Sequence, residues 1–200
     1  MKRKMNVKKI ALIGMLGAIG AILMFFKTPL PFMPPFMDFD FASLPEIIGG
    51  FALGPVAAVF IIIVKLLVKL ATLGTSTMFT GEISNFLVSC AYVLPAVWIY
   101  NRQKTKTSAM HGLVIGIVTC AMVAVLTNVT IIFPFYAKLF NLPLSEIIKM
   151  CAAVNPLVTD MFSLVLFAIV PFNLIKYGVA SIVTYIVYKK LSVPLKKFIQ

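Results

Sequence analysis

Apolar runs long enough to cross a bilayer recur along this 200-residue chain, and they leave few folds open. A hydrocarbon core about 30 Å thick asks for about 20 apolar residues in a helix, with every backbone polar group satisfied internally. Such runs read at residues 10–26, 55–73, 82–100, 111–133 and 160–188. A shorter apolar segment at 41–53 is predicted to be a half-length or tilted helix. The chain is therefore expected to be one all-α integral membrane domain over residues 1–200, with six membrane segments. Composition agrees, since 12% of the residues are charged against about 25% in soluble chains.

The net charge of +12 would suggest a polyanion if it covered one face. Instead it is clustered. Lys2, Arg3, Lys4, Lys8 and Lys9 precede the first run, Arg102, Lys104 and Lys106 separate two central runs, and Lys189, Lys190, Lys196 and Lys197 follow the last. With all three clusters in the cytoplasm this is the positive-inside pattern, which puts both termini inside and needs no nucleic acid. The acids Asp38, Asp40, Glu46, Glu82, Glu146 and Asp160 all fall in segments assigned to the other side, or at their ends. The basic start and apolar run could open a signal peptide, but no small-x-small cleavage site follows. The run is expected to remain as the first helix.

Three cysteines, Cys90, Cys120 and Cys151, have no metal-site spacing, so neither a zinc site nor a disulfide is expected. No serine-histidine-acid set, HExxH, P-loop or glycine-rich nucleotide signature is present. Catalytic residues, a metal, a cofactor and ATP hydrolysis by the chain alone are all unexpected.

The polar residues inside the runs carry the information. VPFNLIKY, Val170 to Tyr177, sets a proline, an asparagine and a lysine deep in the last run. Pro171 frees a carbonyl one turn back, so the helix kinks or a neighbour satisfies it. Asn173 and Lys176, three apart, share a face. Two readings stand: the floor of a polar-ligand pocket, or a lysine satisfying a carboxylate while the asparagine bridges helices. KTPLPFMPPFMDFDF, Lys27 to Phe41, holds four prolines, too many for a regular helix. Phe32, Met33, Phe36, Met37, Phe39 and Phe41 suit a lid over a flat ligand, or an aromatic belt at the headgroups.

Lys65 and Lys69 are one helical turn apart. Lys69 is within snorkelling reach of the interface, while Lys65 needs a partner, with Glu82 or Asp160 as candidates. In TLGTSTMFTGEISNF, Thr75 and Thr77 offer hydroxyls, Thr80 or Gly81 is expected to cap the next helix, and Glu82 and Asn85 face together. Thr127 and Asn128 lie near the end of the 111–133 run, and Pro134 to Asn155 reads as an outer loop with its own amphipathic stretch. On the first run, Gly14/Ala18 and Gly17/Ala21 are small-xxx-small pairs, a docking surface for a helix of this chain or of another.

These stretches together resemble the riboflavin-specific substrate-binding (S) subunits of energy-coupling-factor vitamin transporters. The resemblance spans the whole chain and is carried by DFDFASLPEIIGGFALGP, GTSTMFTGEISNFL and PFNLIK. It implies an S subunit in a bacterial cytoplasmic membrane that captures riboflavin from outside. Release inward would follow on joining a transmembrane coupling subunit and two ATP-binding cassette ATPases. Positions matching the family's vitamin contacts are Asn128, Asn173 and Lys176, with the Thr75 region; Thr77, Phe36, Asp40, Glu82 and Asn85 complete the expected binding set. The family's AxxxA-type docking face reads ALIGMLGAIGA here. The chemistry fits: an asparagine can donate and accept at once, as the uracil-like edge of isoalloxazine demands, and Lys176 supplies donors. Two other readings stay open. One is the same fold serving thiamine, folate or a pyridoxine; the other is an ion-coupled carrier using Glu82, Asp160 and the buried lysines.

Overall fold

A computed structural model describes residues 6–33, 37–75, 77–139, 141 and 143–199. Helix α1, Val7–Phe25, leads into a short antiparallel hairpin of β1, Thr28–Pro29, and β2, Asp38–Phe39, in the register Thr28 to Phe39. Helices α2 (Ser43–Leu53), α3 (Pro55–Leu73), α4 (Thr80–Gln103) and α5 (Lys106–Thr127) follow. A π-helical segment, Asn128–Ile132, joins α5 to α6, Phe133–Leu139. Then come α7, Leu144–Ala152, and α8, Met161–Leu164. A second π-helical segment, Val165–Ile169, runs into α9, Val170–Ile199. Among the described residues five helical stretches are long and apolar enough to cross a membrane: Val7–Phe25, Pro55–Leu73, Thr80–Gln103, Lys106–Lys138 and Met161–Leu195. Exposed apolar side chains such as Met15, Ile19 and Ile22 on α1 suit contact with lipid.

The short helix α2 is the centre of the fold. Every residue in it except Leu44 is buried, and it touches α1, α3, α4 and α9. A helix apolar on all sides belongs inside a bundle. Gly50 lets α2 approach α4, since a Cβ there would lie 2.4 Å from Val97 Cγ2. Gly54, at φ 96°, turns the chain back, and Pro55 opens α3 where its missing N–H costs no hydrogen bond.

Both π-helical segments end two residues before a proline, Pro134 and Pro171. Wider turns of this kind are often found at functional sites. The carbonyl of Phe167, one α-helical turn before Pro171, accepts a hydrogen bond from Asn155 Nδ2 at 3.1 Å. This is the re-satisfied backbone expected of a proline in a membrane helix. A π-helical turn likewise precedes Pro134 and the chain continues helically through it, so the stretch from Pro134 is helix as far as Leu139 and not loop. The last helix also runs past 188 to Ile199. Ser192 is buried on it, and Leu195 packs beside Leu12, Ile13 and Leu53.

Lys8 lies 5.9 Å from the Phe198 ring, and Tyr100 meets Tyr188 with ring centroids 5.7 Å apart. These contacts bring the start of α1, the end of α4 and the end of α9, with Lys8, Arg102, Lys189 and Lys190, to one end of the bundle. The hairpin lies at the other.

Candidate functional site

At the hairpin end a cavity of about 290 Å³ is enclosed by α1, the hairpin segment, α3, α4, the α5–α6 stretch and α9. Its apolar wall includes Met24, Met37, Val88, Phe172 and Tyr177. The Tyr177 ring is held by Tyr92, with centroids 4.6 Å apart. Met37 is buried, and Leu30, Met33 and Phe39 pack on the core, so this proline-rich segment folds onto the bundle. The predicted site residue Phe36 lies outside the described residues.

The polar side is built from helix irregularities. Asn128 opens the first π-helical segment and Asn173 follows the second by one turn. Each donates Nδ2 to the carbonyl one turn back, Ala124 and Ile169 respectively, both at 2.8 Å. Their amide oxygens make no hydrogen bond among the described residues, which leaves an acceptor at each position in the cavity wall. Lys176 Nζ donates to Asp40 Oδ2 at 2.8 Å, and Asp40 Oδ1 accepts the Ala42 N–H at 2.9 Å where α2 begins. Lys176 therefore does both things its sequence allowed: it lines the pocket and it satisfies a carboxylate.

A second polar cluster forms between α3 and α4. Lys69 is ion-paired with Glu82, and Glu82 Oε2 accepts the hydroxyls of Thr75 at 3.1 Å and Thr77 at 3.2 Å. Lys69 is thus a wall residue with a partner, and no snorkelling is needed. The start of α4 differs from expectation. Thr77 Oγ1, and neither Thr80 nor Gly81, accepts the helix's Gly81 N–H at 3.0 Å. It can do so because Met78 and Phe79 take left-handed backbone angles that fold the chain back over the turn. Thr75 is not part of the wall among the described residues and reaches the cavity through Glu82.

Lys65 is paired with Glu46, 2.5 Å away, and not with Glu82 or Asp160. Glu46 enters the core because α2 is buried, a placement that its position in the short 41–53 segment does not reveal. Lys65 also donates to Asn85 Oδ1 at 2.6 Å, and Asn85 lines the cavity. Asp160 instead caps α8, accepting the Ser163 N–H at 2.7 Å.

Seven of the predicted residues thus meet around one cavity: Asp40, Thr77, Glu82, Asn85, Asn128, Asn173 and Lys176. Sequence reasoning missed Lys69, Tyr136, Phe172 and Tyr177 as wall residues. Phe172 and Tyr177 adjoin the predicted pair in sequence, whereas Tyr136 was hidden by the loop reading of Pro134. The small pairs on α1 separate. Gly17 and Ala21 are buried, and a Cβ on Gly17 would sit 2.5 Å from Val64 Cγ1 of α3. Gly14 and Ala18 are half-buried, with open space beside Gly14. Among the described residues no group of three His, Cys, Asp or Glu side chains could hold a metal ion.

Residues 8–188 match the family described as ECF transporter, substrate-specific component. The chain is 32% identical to the riboflavin transporter RibU of Staphylococcus aureus strain TCH60, over 98% of each protein. It is 25% identical to the riboflavin transporter FmnP of Bacillus subtilis strain 168, over 94% of this chain and 93% of that one. A solved S component of a bacterial ECF transporter superposes with a TM-score of 0.72 at 30% identity, covering 94% of this chain and 98% of the other. With a central buried helix, a polar cavity at one end and a likeness that runs nearly end to end, the chain belongs to the family of substrate-specific components of ECF transporters.

Proposed function

We propose that this chain is the riboflavin-binding subunit of an ATP-driven vitamin importer in a bacterial cytoplasmic membrane. In this reading α2 counts as a short sixth membrane segment beside the five long stretches. Both termini are cytoplasmic, because the described residues of the basic clusters share one end of the bundle. The cavity then opens outward, and the hairpin segment serves as its lid. Riboflavin is captured there and released inward once the subunit joins a transmembrane coupling subunit and two ATPases. The Gly14/Ala18 face of α1 is the surface offered to that coupling subunit.

The observation that carries the reading is the pairing of Asn128 and Asn173 with Lys176 beside an aromatic wall. Isoalloxazine is a flat ring system with an apolar xylene edge and a pyrimidine edge that both donates and accepts. Two asparagines and a lysine can meet the polar edge, while Phe172, Tyr177 and Met37 cover the rings. Asp40, Thr77, Glu82 and Asn85 complete the wall, with Thr75 acting through Glu82. The names borne by the relatives point the same way.

The visible absorption spectrum of the protein purified in detergent tests this. Flavin bands that leave with riboflavin on denaturation are the expected result. A colourless protein that also fails to quench the fluorescence of added riboflavin would overturn it.

A further inference from the structure

We propose that Glu82, by neutralising Lys69, makes this cavity select uncharged riboflavin against its 5′-phosphate; the inference rests on the riboflavin reading above. Among the described residues the charged side chains of the wall are Lys27, Lys69 and Lys176 with Asp38, Asp40 and Glu82. They are matched one to one, as Lys27–Asp38, Lys69–Glu82 and Lys176–Asp40. Their side-chain exposures of 57%/30%, 16%/8% and 9%/6% set them at increasing depth. A phosphomonoester carries about −1.5 to −2 charges at pH 7 and is held by cations free to receive it. Each lysine here already carries a carboxylate, so a phosphate would shed its water and meet a like charge at every cation. The hydroxyls of an unphosphorylated ribityl chain need only single donors and acceptors, which the same groups supply.

Of the three acids, Glu82 is the one that sets the selection. Asp38 is partly exposed, where solvent and salt screen it. Asp40 also holds the start of α2 through the Ala42 N–H. Glu82 is buried and fixed on both oxygens, one by Lys69 and the other by Thr75 and Thr77, so it cannot swing away without giving up three partners. Lys69 Nζ has a further anchor in the Gly74 carbonyl at 2.9 Å, which keeps the ammonium in place when the acid is changed.

The test is the ratio of affinities for riboflavin and riboflavin 5′-phosphate, read by flavin fluorescence quenching on the full chain in detergent. The wild-type protein should favour riboflavin by about tenfold or more. Glu82→Gln should shift the ratio toward the phosphate by about tenfold, and the double change Lys69→Gln with Glu82→Gln should restore the preference. Equal wild-type affinities, or a ratio unmoved by Glu82→Gln, would overturn the inference. The wild-type comparison stands even where a variant does not fold. Binding of neither flavin by the wild-type chain overturns the riboflavin reading and this inference together, whereas equal binding of both overturns this inference alone.

Discussion

Asn155 donates its side-chain amide to the carbonyl of Phe167 at 3.1 Å, the position where Pro171 has no N–H to give. The loop between α7 and α8 is thereby tied to the helix that carries Asn173 and Lys176. Replacing Asn155 with Leu should lower stability by about 1 kcal/mol, the cost of leaving a half-buried acceptor without this donor. Thermal unfolding in detergent measures it. With Pro171→Ala in the background, a backbone donor returns and the loss should shrink; an equal loss in both backgrounds would sever the link.

The candidate ligand groups should act one by one. Asn128→Ala, Asn173→Ala and Lys176→Ala should each weaken riboflavin binding by about 1–3 kcal/mol. Fluorescence titration of each purified variant provides the number. Unchanged affinity in all three would remove them from the site.

Lys65 and Glu46 form an ion pair with side-chain exposures of 2% and 0%. Breaking one side strands the other charge, so Lys65→Met or Glu46→Gln alone should destabilise by about 3–5 kcal/mol. The double change Lys65→Met with Glu46→Leu should recover most of that, as buried pairs replaced by apolar residues often do. A double-mutant cycle on thermal unfolding decides it, and strictly additive losses would contradict the pairing.

On α1, two glycines in similar sequence surroundings should respond with opposite sign. Gly14→Ala meets nothing within 4 Å and should gain up to about 1 kcal/mol from helix propensity. Gly17→Ala drives a methyl against Val64 and the carbonyl of Ile61, and should lose about 1–3 kcal/mol. Gly14→Leu extends the comparison: it should leave riboflavin binding intact while lowering recovery of the coupling subunit in a pull-down.

Much of this was legible in the sequence because membrane helices advertise themselves by length, and polar residues inside them are costly enough to mark function. Asn173 and Lys176 were visible on those terms, and the structure sets both in one wall with Asn128. What stayed hidden depended on contacts between distant segments. Glu46 reads as an acid in a short apolar segment, and only the enclosure of α2 by four other helices turns it into the partner of Lys65. Pro134 reads as a stop, since sequence carries no sign of the π-helical turn that accommodates it. The capping role of Thr77 depends on two left-handed residues, Met78 and Phe79, neither of which is a type that favours that conformation.

The enclosure of α2 also bears on how the protein is made. Eleven residues are too few to enter a bilayer as an independent unit, and Glu46 alone would add about 2.5–3.5 kcal/mol to its insertion. Lys65, on the next helix, carries a similar penalty by itself. Joined by the tight Gly54 turn, α2 and α3 bring the two charges together. The nascent chain is thus suited to deliver this hairpin as one unit with its two deepest charges already paired, late enough for α1 to be waiting beside it.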